Sequence, residues 1–175
     1  NPKKAAELLQ EAGYPNGKGL EPILLSTPES SADVCNYIAS ELNNIGITVK
    51  VDVMQPGILR QLMSKGDITF FKAQWIADYP DAETYLSFFL STLPAPPNYT
   101  QYNNPKFDAL YHKSISTINI QERNQLYSEM DSLIMQEGVV IPLFYDEILH
   151  FMQPNVTGLS VNQMNIIDLK RVQKK

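Results

Sequence analysis

The sequence predicts an α/β layered domain, a mostly parallel sheet with helices on both faces, and three observations point there. Apolar residues recur at helical spacing in three segments of the first 65 residues, short β-type runs separate them, and glycine or proline marks the junctions. In the first segment Ala5, Leu8, Leu9 and Ala12 stand at i, i+3, i+4 and i+7, with Pro2 near the start and Gly13 just past the end. That is an amphipathic helix with start and stop signals. YPNGKG at 14–19 is a turn. Residues 20–27 form a short apolar strand ended by Pro28, and 29–45 return to helical spacing through Cys35, Ile38, Leu42 and Ile45.

Gly46 closes that helix, after which Ile47, Val49, Val51 and Val53 alternate with Thr48, Lys50 and Asp52. One face of this strand packs and the other is wet, which suits a position near a sheet edge. A helix follows over 56–65, with Pro56 at its start, Leu59, Leu62 and Met63 on one side and Gly66 as its stop. The next run, DITFFKAQWI at 67–76, is apolar on both parities and predicts a central strand. The order strand, helix, strand, helix, strand implies right-handed crossovers and parallel pairing.

Beyond residue 76 the chain changes character. A helix runs through Tyr85, Phe88 and Phe89, a proline-rich loop spans 91–105, and two helices follow over about 105–116 and 121–136. VVIPLFY at 139–145 reads as a buried strand interrupted by Pro142, which cannot donate to a ladder. The last thirty residues have weak periodicity.

Composition narrows the function classes. A chain of 175 residues with 43% hydrophobic and 19% charged side chains has the make-up of a globular body with a real core. Its formal net charge of -5, with no basic run beyond the terminal KRVQKK, argues against a nucleic-acid partner, which needs a clustered cationic face. Apolar runs fall far short of a membrane span. The single cysteine, Cys35, rules out an intrachain disulfide and a cysteine-based zinc site, and it lies on the apolar stripe of its helix as a core thiol. His112 and His150 lack metal-ligand spacing, so neither a metal nor a cofactor is expected. The opening NPKKAAELLQ reads as the start of a helix within a longer protein.

Two constellations could carry chemistry. The first is WIADYPDAE at 75–83, directly after the run read as the central strand, because ligands of open α/β sheets bind beyond the carboxyl ends of the strands. Asp78, Tyr79 and Asp81 stand there, three to six residues after the only tryptophan, Trp75. A carboxylate beside an aromatic wall can hold a cationic group or act as a general acid. The same residues also fit a helix entry, with Asp78 or Asp81 as N-cap and Glu83 facing the helix dipole. The second constellation would combine Ser114 or Ser116 with His112, but no nucleophile elbow accompanies it and His112 sits on a solvated helical stretch. Tyr99, Tyr102, Phe107 and Tyr111 could line a cleft or seal the core edge.

Five blocks, in order, carry a resemblance: KKAAELLQEAGYPNG, ELNNIGITVKVDV, LMSKGDITFFKAQWIADYPDAETYL, NYTQYNNPKFDALYHKS and ERNQLYSEMDSLIMQEGVVIPLFY. Together the sequence resembles the C-terminal half of the bacterial extracellular solute-binding proteins of the peptide/nickel/opine class, family 5, the receptors of ABC importers. The resemblance implies one lobe of a type II periplasmic-binding-protein fold, with residues 1–145 as the second-lobe domain and 146–175 as a segment crossing back to the first lobe. It implies a non-enzymatic receptor, periplasmic or extracytoplasmic, with or without a lipid anchor. Its partners would be a dipeptide or oligopeptide, the permease subunits and the first lobe of the same protein, and this piece alone would be a monomer holding half a cleft.

In peptide-binding relatives the aspartate of a W-x-x-D pattern pairs with the ligand's α-amino group, which the resemblance carries to Asp78, with Trp75 as an aromatic wall. Lys72, three residues before the tryptophan, would serve the ligand's carboxyl end, though less well than an arginine. Tyr79, Asn98 and Tyr99 complete the expected ligand set, and Asp81 is left with the helix-entry role. Where the family has proline after the second aspartate, Ala82 stands here. Three other readings stay open: a hydrolase using Asp78 with Asp81 or Glu83, the same receptor with a nickel chelate, opine, haem or oligosaccharide, and a lobe that only docks a permease.

Overall fold

Six residues set the centre of the sheet. In the computed structural model, which describes residues 1–160, 162 and 166–175, β1 (Ile23–Pro28) runs parallel to β2 (Val49–Met54) with Ile23 opposite Val49, Leu25 opposite Val51 and Thr27 opposite Val53. Because side chains alternate along a strand, these six share one face. Against that face packs α2 (Ala32–Asn44), whose Cys35 and Ala39 are buried with Leu25 and Val49, flanked by Ile38, Leu42 and Phe70. Asn43 locks the helix end to the strand: its Nδ2 donates to the Ala39 carbonyl at 2.7 Å and its Oδ1 accepts from the Val49 N–H at 3.2 Å. On the opposite parity Ser26 is only 2% exposed, and α3 (Pro56–Lys65) contacts β1. That second face is covered at Ser26 and open at Leu24, which is 56% exposed.

The central strand is β1, which corrects the expectation for 67–76. That run contributes one parallel bridge, between Phe71 and Ser26: the Ser26 N–H donates to the Phe70 carbonyl at 3.0 Å and the Lys72 N–H to the Ser26 carbonyl at 2.9 Å. Apolar residues on both parities suggested burial on both faces, but Phe70 and Phe71 are half-buried and Trp75 and Ile76 are exposed. The spatial order is thus β2, β1, then the short 70–72 edge.

The chain divides into two units, Asn1–Gln74 with Pro94–Gln101, and Trp75–Leu93 with Tyr102–Lys175. The first holds the sheet, α2, α3 and α1 (Pro2–Glu11), which Asn1 caps through a 3.1 Å bond from the Lys4 N–H to its Oδ1. The second is built on α4 (Glu83–Leu86, continued by a 3-10 turn to Phe89), α5 (Pro105–Ser116) and α6 (Ile120–Gln136). Asparagines cap both long helices, Asn104 accepting from the Lys106 and Phe107 N–H groups and Asn119 from that of Glu122. Phe107 and Met130 are fully buried among Leu86, Leu90, Tyr102, Tyr111 and Ile134, and Phe89, Tyr102 and Phe107 meet edge to face. Asp108 on α5 holds the chain after α4 by accepting from the Ser91 N–H and hydroxyl.

VVIPLFY does not form the expected strand. Val139 and Val140 pack on the core of the second unit, but from Ile141 the chain leaves it, and Tyr145 is 95% exposed. No described segment pairs with this run, and Pro142 could not donate to one. The short strands β3 (Val156–Thr157) and β4 (Gln173–Lys174) pair antiparallel further on. Among the described residues no helix is long and apolar enough to cross a membrane.

Candidate functional site

Residues 75–82 lie outside any helix or strand, so side-chain bonds must fix them. Trp75 meets Phe88 edge to face, ring centroids 4.5 Å apart, and remains 44% exposed. The Asp78 N–H reaches the Thr84 hydroxyl oxygen at 3.4 Å. A tight turn follows, closed by the Asp81 N–H on the Tyr79 carbonyl at 2.8 Å.

Three carboxylates occupy this stretch, and they are in different situations. Asp81 uses both oxygens: Oδ1 accepts from the Tyr127 hydroxyl and the Glu83 N–H, each at 3.0 Å, and Oδ2 lies 3.0 Å from Arg123 Nη2. Arg123 and Tyr127 are i and i+4 on α6, so both project from one face of that helix. The guanidinium carbon also stands 5.7 Å from the Tyr127 ring centre. Glu83 accepts from two phenols, Tyr79 and Tyr111. Asp78 is exposed, and no hydrogen bond or ion pair engages its carboxylate among the described residues.

These contacts raise the tyrosines. Burial, then the hydrogen bond to Asp81, pushes the Tyr127 phenol up to about 12, with Arg123 opposing. Burial and the Glu83 carboxylate move Tyr111 upward in the same sense, and burial does so for Tyr102, helped by Glu137.

The other expected ligand residues fall in the first unit. Lys72 is half-buried, its backbone in the sheet edge and its Nζ 3.3 Å from Gln74 Oε1. Asn98 is 3% exposed, and its Oδ1 accepts from the Thr100 hydroxyl at 3.1 Å. Tyr99 is half-buried beside it, its N–H on the Pro97 carbonyl. Within the second unit, Trp75, Asp78 and Tyr79 sit along one segment. The Tyr79 hydroxyl is taken by Glu83, so what this residue presents outward is its ring.

Asp81 does enter the helix as expected, through its bond to the Glu83 N–H, although the residue before α4 is Ala82, which offers no capping side chain. Its bonds to α6 were not legible. A two-carboxylate hydrolase would need Asp81 or Glu83 free to move protons, whereas each is held by at least two donors. The alternative serine–histidine site dissolves too, since Ser114 is buried with its hydroxyl on the Tyr111 carbonyl and His112 faces solvent. Among the described residues no cluster of three or more histidine, cysteine or acidic side chains could hold a metal.

The fold is that of an α/β protein with a parallel sheet, and the sequence comparisons name its family. Residues 1–97 match the bacterial extracellular solute-binding proteins, family 5, middle region, and the chain belongs to that family of binding proteins rather than to an enzyme class. It is 27% identical over 163 residues to heme-binding protein A of Haemophilus influenzae, covering 90% of this chain and 30% of that protein. To the glutathione-binding protein GsiB of Escherichia coli K12 it is 28% identical over 166 residues, covering 90% and 32%. The solved structure of the periplasmic binding protein DppA from Helicobacter pylori, in complex with the peptide STSA, superposes with a TM-score of 0.70 at 27% identity, covering 78% of this chain and 27% of that one. The chain spans about a third of the length of these curated relatives.

Proposed function

We propose that this chain supplies one lobe of an extracytoplasmic receptor that captures a peptide or another amino-terminated solute and delivers it to an ABC permease. The observation that carries the reading is the contrast among the three carboxylates: Asp81 and Glu83 are bound within the protein, and the Asp78 carboxylate is exposed, with no partner among the described residues. An ammonium group closed over by a second lobe would gain a charge-assisted hydrogen bond there, of about 1.5–3 kcal/mol net. Trp75 and the ring of Tyr79 offer apolar faces in the same segment. Peptide-backbone hydrogen bonds with roomy side-chain pockets would make binding tolerant of sequence.

Residues 1–145 form the lobe in this reading, and 146–175 return to the partner lobe. The exposure of Phe144, Tyr145 and Phe151 supports that path, since such side chains favour a covered surface. A second cargo class has specific support in the heme-binding relative. Mass spectrometry of the solute retained by the full-length receptor after gentle purification decides between them. A bound peptide or other primary amine is the expected result; a haem or an uncharged sugar would overturn the amino-terminated reading.

A further inference from the structure

Residues 75–82 lack secondary structure of their own and run into α4 at Glu83, yet four side chains, from α5, α6 and the segment itself, converge on the Asp81 and Glu83 carboxylates. We propose that Arg123, Tyr127 and Tyr111 are positioning residues of the binding segment: through Asp81 and Glu83 they hold the Asp78 carboxylate in the geometry that a ligand meets. The inference rests on the reading of Asp78 as anchor given above.

The geometry carries it in three ways. Asp81 is bonded on both oxygens, to Tyr127 and the Glu83 N–H on one and Arg123 on the other, which fixes the side chain about its own axis as well as in position. Glu83 is bridged between Tyr79 inside the segment and Tyr111 on α5, so the second attachment comes from a different helix. Asp78 stands between the Trp75–Phe88 contact and these two carboxylates, and its own N–H bonds Thr84 in α4. Both ends of the anchor's segment are therefore tied to helices whose packing is independent of any ligand. The Arg123 and Asp81 side chains are 35% and 27% exposed, so solvent screens the ion pair in part. Its main consequence is local, in restricting a stretch of chain that would otherwise sample many conformations.

Hydrogen–deuterium exchange read by mass spectrometry tests this without a ligand. In the full-length receptor, Arg123→Ala and Tyr127→Phe should speed exchange of the amides over 78–84 by about fivefold or more, with β1, β2, α2 and α3 unchanged. Arg123→Lys should restore most of the protection, and Asp81→Asn combined with Arg123→Ala should be no faster than the faster single variant. Should Arg123→Ala fail to fold, Tyr127→Phe, which removes one oxygen atom, carries the test. Unchanged exchange over 78–84, or equal acceleration throughout the second unit, overturns the proposal. Calorimetry with trialanine as probe forms a separate arm, in which Arg123→Ala should weaken binding about threefold or more relative to the wild-type receptor. A wild-type receptor that ignores trialanine would count against the peptide reading, and the exchange result would still decide the positioning role.

Discussion

The Tyr127 hydroxyl donates to Asp81 Oδ1 at 3.0 Å, joining the middle of α6 to the turn before α4. Burial and this bond hold the phenol up to about 12, against about 10 in an unfolded chain. Between pH 10 and 12 the unfolded chain has released this proton and the folded one retains it, so stability falls as pH rises through that window and is complete below it. Denaturation followed at pH 9 and pH 11 should show a steep loss, made shallower by Tyr127→Phe. An identical slope in the variant would contradict the assignment. At pH 8 the same substitution should cost about 0.5–1.5 kcal/mol, the net worth of one hydrogen bond.

Gly17 and Gly46 face each other so closely that neither tolerates a side chain. A Cβ on Gly46, which sits at φ +95°, would lie 2.2 Å from the Asn16 carbonyl oxygen, and one on Gly17 would lie 1.7 Å from the Gly46 carbonyl oxygen. Gly46→Ala should therefore destabilise by more than about 1 kcal/mol in chemical denaturation. Gly57, in the first turn of α3, has open space around its Cα, and Gly57→Ala should be neutral or stabilising by up to about 1 kcal/mol. Opposite signs for the two variants are expected, and a neutral Gly46→Ala would refute the close contact.

Phe107 is fully buried, with Tyr102 and Phe89 edge-on at 5.6 and 6.2 Å between centroids. Truncation removes the central ring of that group, so Phe107→Ala should cost about 3–5 kcal/mol. Ile118, at 97% exposure in the turn between α5 and α6, is the matching control, and Ile118→Ala should shift stability by no more than about 0.5 kcal/mol.

Cys35 is fully buried between α2 and the sheet. Its labelling by an aromatic disulfide reagent should be slow in native buffer and complete in denaturant. Fast native labelling would mean that α2 does not pack as described.

How much of this was legible in the sequence follows from how local each signal is. Pro56 to Lys65 matched its helix to the residue, because proline, an apolar stripe and Gly66 all mark it locally. The alternation from Ile47 to Val53 likewise marked an edge strand beside β1. Phe70 to Ile76 misled, since apolar residues on both parities look alike whether a strand is central or the chain is leaving the sheet. VVIPLFY failed for a similar reason, because composition reveals a need for burial but not what provides it. At the candidate site, spacing and resemblance singled out Trp75 and Asp78, and both lie partly exposed along one segment outside any helix or strand. Arg123 and Tyr127 could not be picked out, and Tyr111 stood out only as a cleft or core-edge aromatic, since all three lie 28 to 46 residues from the carboxylates they hold and only the fold brings them together.

Isothermal calorimetry of a peptide with the full-length receptor, wild type against Asp78→Ala and Asp78→Asn, tests the central claim most directly. Binding should weaken at least about tenfold in both, because each removes the charge proposed to meet the ligand's amino group. Affinity unchanged in both variants would contradict it.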